Sequence, residues 1–174
     1  MNYYQYLTPL LFKISPERAH TLAIFALKYG LLPAQQQIDY PVLKMQCCGI
    51  DFPNIVGMAP GFDKDGEVVG PLFKQGFGFV EVGTVTPKPQ PGNPLPRLFR
   101  LEQDKAVINR FGFNSKGSDV MLRNITKKPS GGVVGVNIGK NKDSKNDGDD
   151  YVVLLQKFYG LSDYITINIS SPNT

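Results

Sequence analysis

The chain has 174 residues, of which 41% are hydrophobic and 20% are charged, and its net charge is +4 at pH 7. This length is sufficient for one domain with a sizeable core, and the composition excludes a disordered chain. The small basic excess is spread along the sequence among acidic residues, so it does not predict a nucleic-acid-binding surface.

The sequence provides few residues for sulfur or metal chemistry. Its two cysteines, Cys47 and Cys48, are adjacent, and it contains one histidine. Disulfide geometry is difficult to achieve between neighbours, so we expect free thiols, a reducing compartment and no metal site of the Cys/His type. No run of about 20 apolar residues predicts a spanning helix, and the N-terminus lacks the pattern of a signal peptide.

The first 32 residues predict two short amphipathic helices. Apolar residues recur on both sides of the segment SPERAH, in which Ser15 suits an N-cap and Pro16 the first helical position. The pattern leaves two interpretations equally open. The helices either pack on the domain as an appendage or place aromatic and leucine side chains against a bilayer or an apolar ligand tunnel.

From residue 40 onward the sequence alternates between predicted strands and helices. Apolar runs predict strands at 55–59, 79–85, 133–138 and 163–170. Helical spacing predicts helices at 68–76, at 118–128 with Ser118 as the N-cap, and at 149–161 with acidic residues in the first turn. A proline-rich segment after the second strand is too long for a simple loop and is predicted to be functional. This order is typical of parallel βαβ units.

Polar residues and glycines follow each predicted strand where it ends. They lie at 59–61, 83–84, 137–139 and 168–171. Because the carboxyl ends of parallel strands share one edge, four distant segments are expected to form a single site there, as in barrel and open α/β enzymes. Four βα units amount to half of an eight-stranded barrel, which has a typical length of about 250 residues. The predicted fold is therefore α/β with a parallel sheet after a helical extension, either an open sheet or half of a TIM-type barrel.

Several side chains at this edge are candidates for binding or catalysis. Lys64 follows the first predicted strand; a loop lysine is usually only solvated, but this location favours a binding role. Asparagines and serines can bind a planar, amide-like ligand, although each alone is more often a turn residue; those near the edge are Asn109, Asn114, Asn137, Asn168, Ser170, Ser171 and Asn173. Without a histidine or a carboxylate pair there, acid–base chemistry would require a serine, Lys64 or a ligand.

Five segments, taken together, resemble a known family. GMAPGFDKDGE, GFVEVGTVTPKPQPGNPLPRLFRL, INRFGFNSKG, GVNIGKNKD and ITINISSPNT are similar to the successive strand-end motifs of dihydroorotate dehydrogenases, in the same order and near the same spacing. The resemblance extends from about Tyr4 to Thr174 and is greatest for the membrane-associated, quinone-using class. Pro60 stands where many relatives have alanine.

The resemblance implies an FMN-dependent oxidation of dihydroorotate to orotate with a quinone as electron acceptor, in pyrimidine biosynthesis. The implied flavin contacts are Pro60, Gly61, Phe62, Asp63, Lys64, Thr84, Asn137 and Asn168. The implied substrate contacts are Lys64, Asn109, Arg110, Phe111, Gly112, Phe113, Asn168 and Asn173. Ser171 occupies the position of the catalytic base, where the soluble class has a cysteine. No metal and no nucleic acid are implied.

The same resemblance divides the chain in two. Residues 1–38 correspond to the extension that contacts the membrane and admits quinone, which implies a peripheral location on the cytoplasmic side of the cell membrane. Residues 39–174 correspond to the first half of the FMN-binding barrel. The second half carries further phosphate and substrate contacts, so we expect an incomplete fragment that does not bind FMN stably alone. The alternative is a non-catalytic half-barrel that associates with a membrane or dimerises.

Overall fold

The structure is a computed structural model, and it describes residues 4–35, 40–127 and 132–169. It begins with two helices, α1 (Tyr4–Leu11) and α2 (Pro16–Lys28), which confirms the predicted pair. Ser15 is the N-cap of α2, although its side chain makes no capping hydrogen bond. None of the helices in these three ranges is both long and apolar enough to cross a membrane. The predicted domain boundary at 38/39 lies outside the described residues.

After a short 3-10 turn at Pro41–Leu43, the chain forms a hairpin that the sequence analysis did not predict. Its antiparallel strands are β1 (Met45–Cys47) and β2 (Ile50–Phe52). Strands of three residues are too short to show the alternation on which sequence interpretation depends. Both cysteines are exposed and free, as expected.

The remaining strands are β3 (Gly57–Met58), β4 (Phe79–Val85), β5 (Leu98–Leu101), β6 (Ala106–Asn109), β7 (Val133–Ile138) and β8 (Tyr164–Ile167). The helices among them are α3 (Val69–Lys74), α4 (Ser118–Ile125) and α5 (Asp147–Phe158). Strands β3, β4, β7 and β8 form one sheet in that order, and every neighbouring pair is parallel. The predicted parallel α/β fold is therefore confirmed. The sheet is open, with β3 and β8 at its edges, as expected for half of a barrel.

Several predicted boundaries are wrong in detail. The first strand is shorter than 55–59 because the Asn54 side chain accepts a hydrogen bond of 2.6 Å from the Val56 amide and bends the chain at that point. The N-cap of α4 is Gly117, and Ser118 is the first helical residue. Helix α5 begins at Asp147, two residues earlier than predicted. Asn146 caps this end, because its side chain accepts a hydrogen bond from the Gly148 amide.

The proline-rich segment contains a second unpredicted hairpin, since β5 and β6 pair antiparallel with Leu98 opposite Asn109. The core lies between the sheet and its helices. Its sheet side consists of valines and an isoleucine in the two central strands, which are Val80, Val82, Val85, Val134, Val136 and Ile138. The helices cover this face with Leu72, Met121, Ile125, Leu154 and Phe158. The opposite face of the two central strands carries their polar residues.

Candidate functional site

The carboxyl ends of the four parallel strands converge on one edge of the sheet, as predicted. The Gly61 amide donates a hydrogen bond of 2.8 Å to the Gly83 carbonyl, and the Gly83 amide donates one of 3.1 Å to the Asp63 carbonyl. Beyond β7, the Gly139 amide bonds the Val85 carbonyl and the Asn168 amide bonds the Ile138 carbonyl, both at 2.9 Å. Segments up to about 100 residues apart thus form one continuous surface.

Three predicted flavin contacts lie in direct hydrogen-bond contact at this edge. The Thr84 hydroxyl donates to Asn137 Oδ1 at 2.6 Å. Asn168 Nδ2 approaches Thr84 Oγ1 at 3.2 Å and Asn137 Oδ1 at 3.4 Å. A bulge in β4 creates this arrangement, because Gly83 pairs with Asn137 and Val85 with Ile138, which leaves Thr84 as the extra residue. Bulges of this kind redirect a side chain next to a site.

The polar face extends toward the amino ends of the strands through Glu81, which the sequence analysis did not single out. Asn137 Nδ2 donates to Glu81 Oε1 at 2.8 Å, and the Tyr164 hydroxyl donates to Glu81 Oε2 at 3.1 Å. Burial and the neighbouring Glu81 carboxylate raise the pKa of Tyr164, so its phenol remains a donor at neutral pH. These bonds fix the amide orientation of Asn137.

Lys64 lies on the loop after β3 and is largely enclosed. Its Nζ donates to Asn114 Oδ1 at 2.8 Å and lies 4.3 Å from the centroid of the Phe111 ring. Burial, followed by repulsion from the Arg97 guanidinium, lowers the pKa of Lys64 to about 8. The ammonium is therefore charged at pH 7, and it carries fewer hydrogen bonds than its three protons could make within the described residues, so it is suited to binding an anionic or carbonyl oxygen.

A close contact connects the segment after β6 with the cluster of Thr84, Asn137 and Asn168. A Cβ on Gly139 would lie 2.6 Å from Thr84 Cγ2 and 3.3 Å from the Phe113 ring, so only glycine fits between them. Phe113 has a φ of 52° and follows Gly112, whose φ is 67°. These left-handed conformations turn the chain after β6 back toward the sheet. The predicted substrate segment thus reaches the edge through Phe111 and Phe113.

The other predicted contacts have structural partners or lie further away. The Asp63 carboxylate is buried and accepts hydrogen bonds of 2.8 Å from the Glu67 and Val68 amides. Burial raises its pKa. The Arg110 guanidinium donates to the Pro96 carbonyl at 3.0 and 3.2 Å, and Asn109 is exposed at the end of β6. Their ligand contacts remain predictions.

The predicted flavin contacts at 60–62 lie beside helix α2. Pro60 is exposed, and a Cβ on Gly61, which has a φ of 104°, would meet no atom within 4 Å, so the backbone there borders open space. His20 Nε2 donates to the Phe62 carbonyl at 2.6 Å, and the two rings meet edge to face. Helix α2 therefore contacts the loop that carries Lys64.

A cavity of about 420 Å³ lies between helix α2 and the loop after β3. Residues on its wall include His20, Gly61, Lys64, Phe111 and Asn114. A larger cavity of about 570 Å³ lies at the opposite end of the sheet, where Asp51, Phe52 and Val133 contribute to its wall. The smaller cavity is the candidate site, because it contains the enclosed lysine and adjoins the carboxyl ends of the strands.

Three candidate residues are not placed. The candidate Ser170, the predicted base Ser171 and the predicted substrate contact Asn173 lie in segment 170–174, outside the described residues. Conversely, Arg97 and Glu17 form an ion pair of 2.6 Å beside the cavity, and sequence reasoning missed both. They are 80 residues apart, and no motif connects them. Across the described ranges, no three His, Cys, Asp or Glu side chains are grouped to hold a metal ion.

Comparison with known proteins identifies relatives of the whole chain. A family model for dihydroorotate dehydrogenase matches residues 42–174. A protein of Azorhizobium caulinodans named dihydroorotate dehydrogenase (quinone) is 51% identical over 100% of this chain and 50% of its own length. A protein of the same name from Bradyrhizobium diazoefficiens is 54% identical over 95% of this chain and 46% of its own.

The chain also resembles solved structures. The crystal structure of DHODH from Eimeria tenella in complex with ferulenol has 46% sequence identity and a TM-score of 0.87, covering 92% of this chain and 45% of that one. This chain spans about half the length of the curated relatives it matches. The region that the family model matches includes the converging strand ends described above. The chain belongs to the dihydroorotate dehydrogenase family.

Proposed function

We propose that this chain carries the flavin-facing part of a quinone-dependent dihydroorotate dehydrogenase, and that the whole protein oxidises dihydroorotate to orotate. The observation that carries the proposal is the convergence of Lys64 and the cluster Thr84–Asn137–Asn168 on one edge of a parallel sheet. The names of the closely similar relatives, all dihydroorotate dehydrogenase (quinone), support the reaction and the acceptor.

The donor set at this edge fits FMN. A flavin ring has carbonyl oxygens and ring nitrogens along one side, which call for both donors and acceptors. Asn137 and Asn168 provide both in their amides, and Lys64 provides an ammonium for an electron-rich oxygen or nitrogen. The open space above the Gly61 backbone allows a flat ring to approach closely. The chemistry that FMN supplies is acceptance of a hydride and transfer of the electrons to a quinone.

The residues of this chain would bind and orient the substrate. Lys64 would hold the dihydroorotate carboxylate, because it is charged at pH 7 and enclosed. Asn109, Asn168 and Asn173 would bond the ring amides, together with the segment 110–113. Ser171 would remove a proton from the ring CH₂ carbon while the neighbouring carbon loses hydride. A serine hydroxyl is a weak base, so it must pass the proton onward.

Helices α1 and α2 support a peripheral membrane contact on the cytoplasmic side. Both expose large apolar side chains, with Tyr6, Leu10, Leu22, Phe25 and Tyr29 each more than half accessible. Exposed apolar side chains on a short helix pair are suited to the interfacial region of a bilayer. The pair also adjoins the cavity beside Lys64 through His20 and Ile24, which gives a quinone in the membrane a route toward the flavin.

The test uses the full product of the gene. Purified protein is expected to show a stoichiometric flavin absorbance and to reduce a soluble quinone analogue only when dihydroorotate is added. Ser171→Ala is expected to lose most turnover and retain the flavin. Loss of flavin in this variant, with normal chemistry in the part that remains loaded, would contradict the role of Ser171 as base. A protein without bound flavin would contradict the whole proposal.

One structural observation favours the second candidate, a non-catalytic half-barrel. Strands β3 and β8 are edges of the sheet, and exposed edges invite pairing with another chain. Size-exclusion chromatography of the 174-residue chain would then give a dimer, and it would sediment with liposomes without reducing quinone. A flavin-loaded monomer would reject this alternative.

A further inference from the structure

Arg97 is the centre of an ion-pair and hydrogen-bond network that touches three separate segments. On one side it binds the Glu17 carboxylate of helix α2, with Nη2 at 2.6 Å from Oε1 and Nε at 3.1 and 3.2 Å from the two oxygens. The side chains are 12% and 29% exposed. A paired, mostly buried guanidinium–carboxylate contact of this kind is stronger and more directional than a surface ion pair.

The third nitrogen of the same guanidinium holds the proline-rich segment. Nη1 donates to the Pro91 carbonyl at 2.5 Å and to the Asn93 carbonyl at 3.2 Å. Asn93 in turn bonds the predicted substrate segment, because its backbone amide donates a hydrogen bond of 2.8 Å to the Phe111 carbonyl. A lysine could not make these contacts simultaneously, because it has one nitrogen and lacks the planar fork.

The guanidinium also lies over the ring of Phe111. The central carbon of Arg97 lies 5.4 Å from the centroid of that ring, and Lys64 Nζ lies 4.3 Å from the same centroid. The two cations therefore share one aromatic ring, and each is within the range of a cation–π interaction. A displacement of Arg97 would move Phe111 and, with it, the position of the ammonium.

We propose that Arg97 is a positioning residue that couples the seating of helix α2, through Glu17, to the placement of Phe111 and Lys64. The inference rests on the proposed function only in taking Lys64 as the group that meets cofactor and substrate. Its consequence is that helix α2, which lies outside the sheet, controls the geometry of the enclosed lysine. Conditions that release α2 from the cavity should therefore alter Lys64, although α2 carries none of the side chains that bond it.

The electrostatics around Lys64 agree with this arrangement. Burial is the largest cause that lowers the pKa of Lys64, and the charge of Arg97 is the second. The charges of Asp65 and Glu17 raise this pKa. Asp63, Glu67, Lys116 and His20 are the other titratable groups on the wall of the same cavity. Removal of the positive charge at Arg97 should therefore raise the pKa of Lys64. A substitution that only exposes Lys64 would also raise this pKa, because burial lowers it, so a variant that keeps the charge at position 97 is needed to separate the two causes.

The experiment measures two properties of the full-length protein that require neither flavin nor turnover. The first is the pKa of Lys64, obtained from its rate of acylation against pH by mass spectrometry. The second is the rate at which a protease cleaves the segment between α1 and α2. Arg97→Gln is expected to raise the pKa of Lys64 by about one unit and to accelerate cleavage at least about tenfold, because helix α2 loses its anchor.

Arg97→Lys separates charge from shape and keeps the test valid if Arg97→Gln fails to fold. It retains the positive charge, so the pKa of Lys64 should change less than in Arg97→Gln, but it loses the fork, so cleavage should still accelerate. Lys28→Gln is the matched control, since Lys28 also connects α2 to the Lys64 loop, through a 2.6 Å pair with Glu67, but its side chain is 47% exposed. It should leave both readouts unchanged.

The inference is overturned if Arg97→Gln folds and leaves the pKa of Lys64 unchanged, or if Lys28→Gln produces the same effects as Arg97→Gln. It is also overturned if the protease cleaves Arg97→Lys at the same rate as the unsubstituted protein. Failure of the proposed function has a different signature, because unsubstituted protein would then show no flavin and no turnover while the pKa and cleavage results still followed the substitutions.

Discussion

The hydroxyl of Thr84 donates a hydrogen bond of 2.6 Å to the side-chain oxygen of Asn137, across two neighbouring parallel strands. The bulge at Thr84 makes the bond possible, because in a regular strand Thr84 would lie on the same face as the core residues Val80 and Val82. The bond and the Glu81 contact together fix which end of the Asn137 amide faces the site. This contact thus links the bulge in β4 to the orientation of the Asn137 side chain at the candidate site.

Thr84→Val is expected to lower the free energy of unfolding by about 1–2 kcal/mol, because valine keeps the shape and removes a buried hydrogen bond. Urea denaturation measures the loss, and flavin affinity should fall with it. Thr126→Val is the matched control, since its exposed hydroxyl bonds only Leu122 within the end of α4. A loss as large in the control as in Thr84→Val would show that the hydrogen bond is not the cause.

Gly139→Ala is expected to destabilise the protein by about 1–3 kcal/mol, because its new methyl would lie 2.6 Å from Thr84 Cγ2. The second substitution Thr84→Ser removes that methyl and keeps the hydroxyl. The double variant should therefore be more stable than Gly139→Ala alone, as a double-mutant cycle would reveal. Gly148→Ala is the control, since its Cβ would meet nothing closer than 3.6 Å. Simple additivity in the cycle would contradict the proposed clash.

Lys64 should give the stability a specific pH dependence in flavin-free protein. Its pKa is about 8 in the folded state and 10.5 when unperturbed, so between these values the unfolded chain binds the proton that the folded chain releases. Stability rises with pH where the unfolded state binds more protons. The unfolding free energy of the unsubstituted protein minus that of Lys64→Met should therefore be constant below pH 8. It should then rise by at most about 3 kcal/mol toward pH 10.5.

Lys116 provides a control of opposite sign for that measurement. Its hydrogen bond to Glu67 raises its pKa above 10.5, so its contribution is present below that value and is lost as pH rises through it. The unfolding free energy of the unsubstituted protein minus that of Lys116→Met should therefore fall as the pH rises past 10.5. Identical curves for the two lysines would refute the assignment of the lowered pKa to Lys64.

The exposed rings of helix α2 should contribute directly to membrane binding. Phe25 and Tyr29 are 51% and 64% exposed, and their ring centroids are 4.5 Å apart. Replacing both with serine is expected to reduce liposome co-sedimentation at least about tenfold, since burying one such ring is worth about 1.5–3 kcal/mol. Val152 and Val153 of α5 are similarly exposed, and their replacement with serine should leave binding unchanged. Equal losses from both helices would contradict a specific role for α2.

The sequence alone determined the order of the parallel strands and of the helices between them, and the edge of the sheet at which the candidate site lies. Apolar runs such as 133–138 and the glycines and prolines that follow them are local signals, and parallel strands then bring Lys64 and Asn137 to one edge by topology. The family motifs added the ligands that are proposed for this edge. Both N-terminal helices were also predictable from local periodicity.

Only the tertiary structure decided how those residues are connected. The pairing of Glu17 with Arg97 joins segments 80 residues apart, and no local pattern specifies which charge meets which. The bulge at Thr84 depends on the register between β4 and β7. The role of Asp63 as a buried cap for the following turn depends on its enclosure by the packed chain. Burial and long-range pairing arise only when the core packs. Sequence periodicity depends on a few neighbouring residues, so it does not predict them.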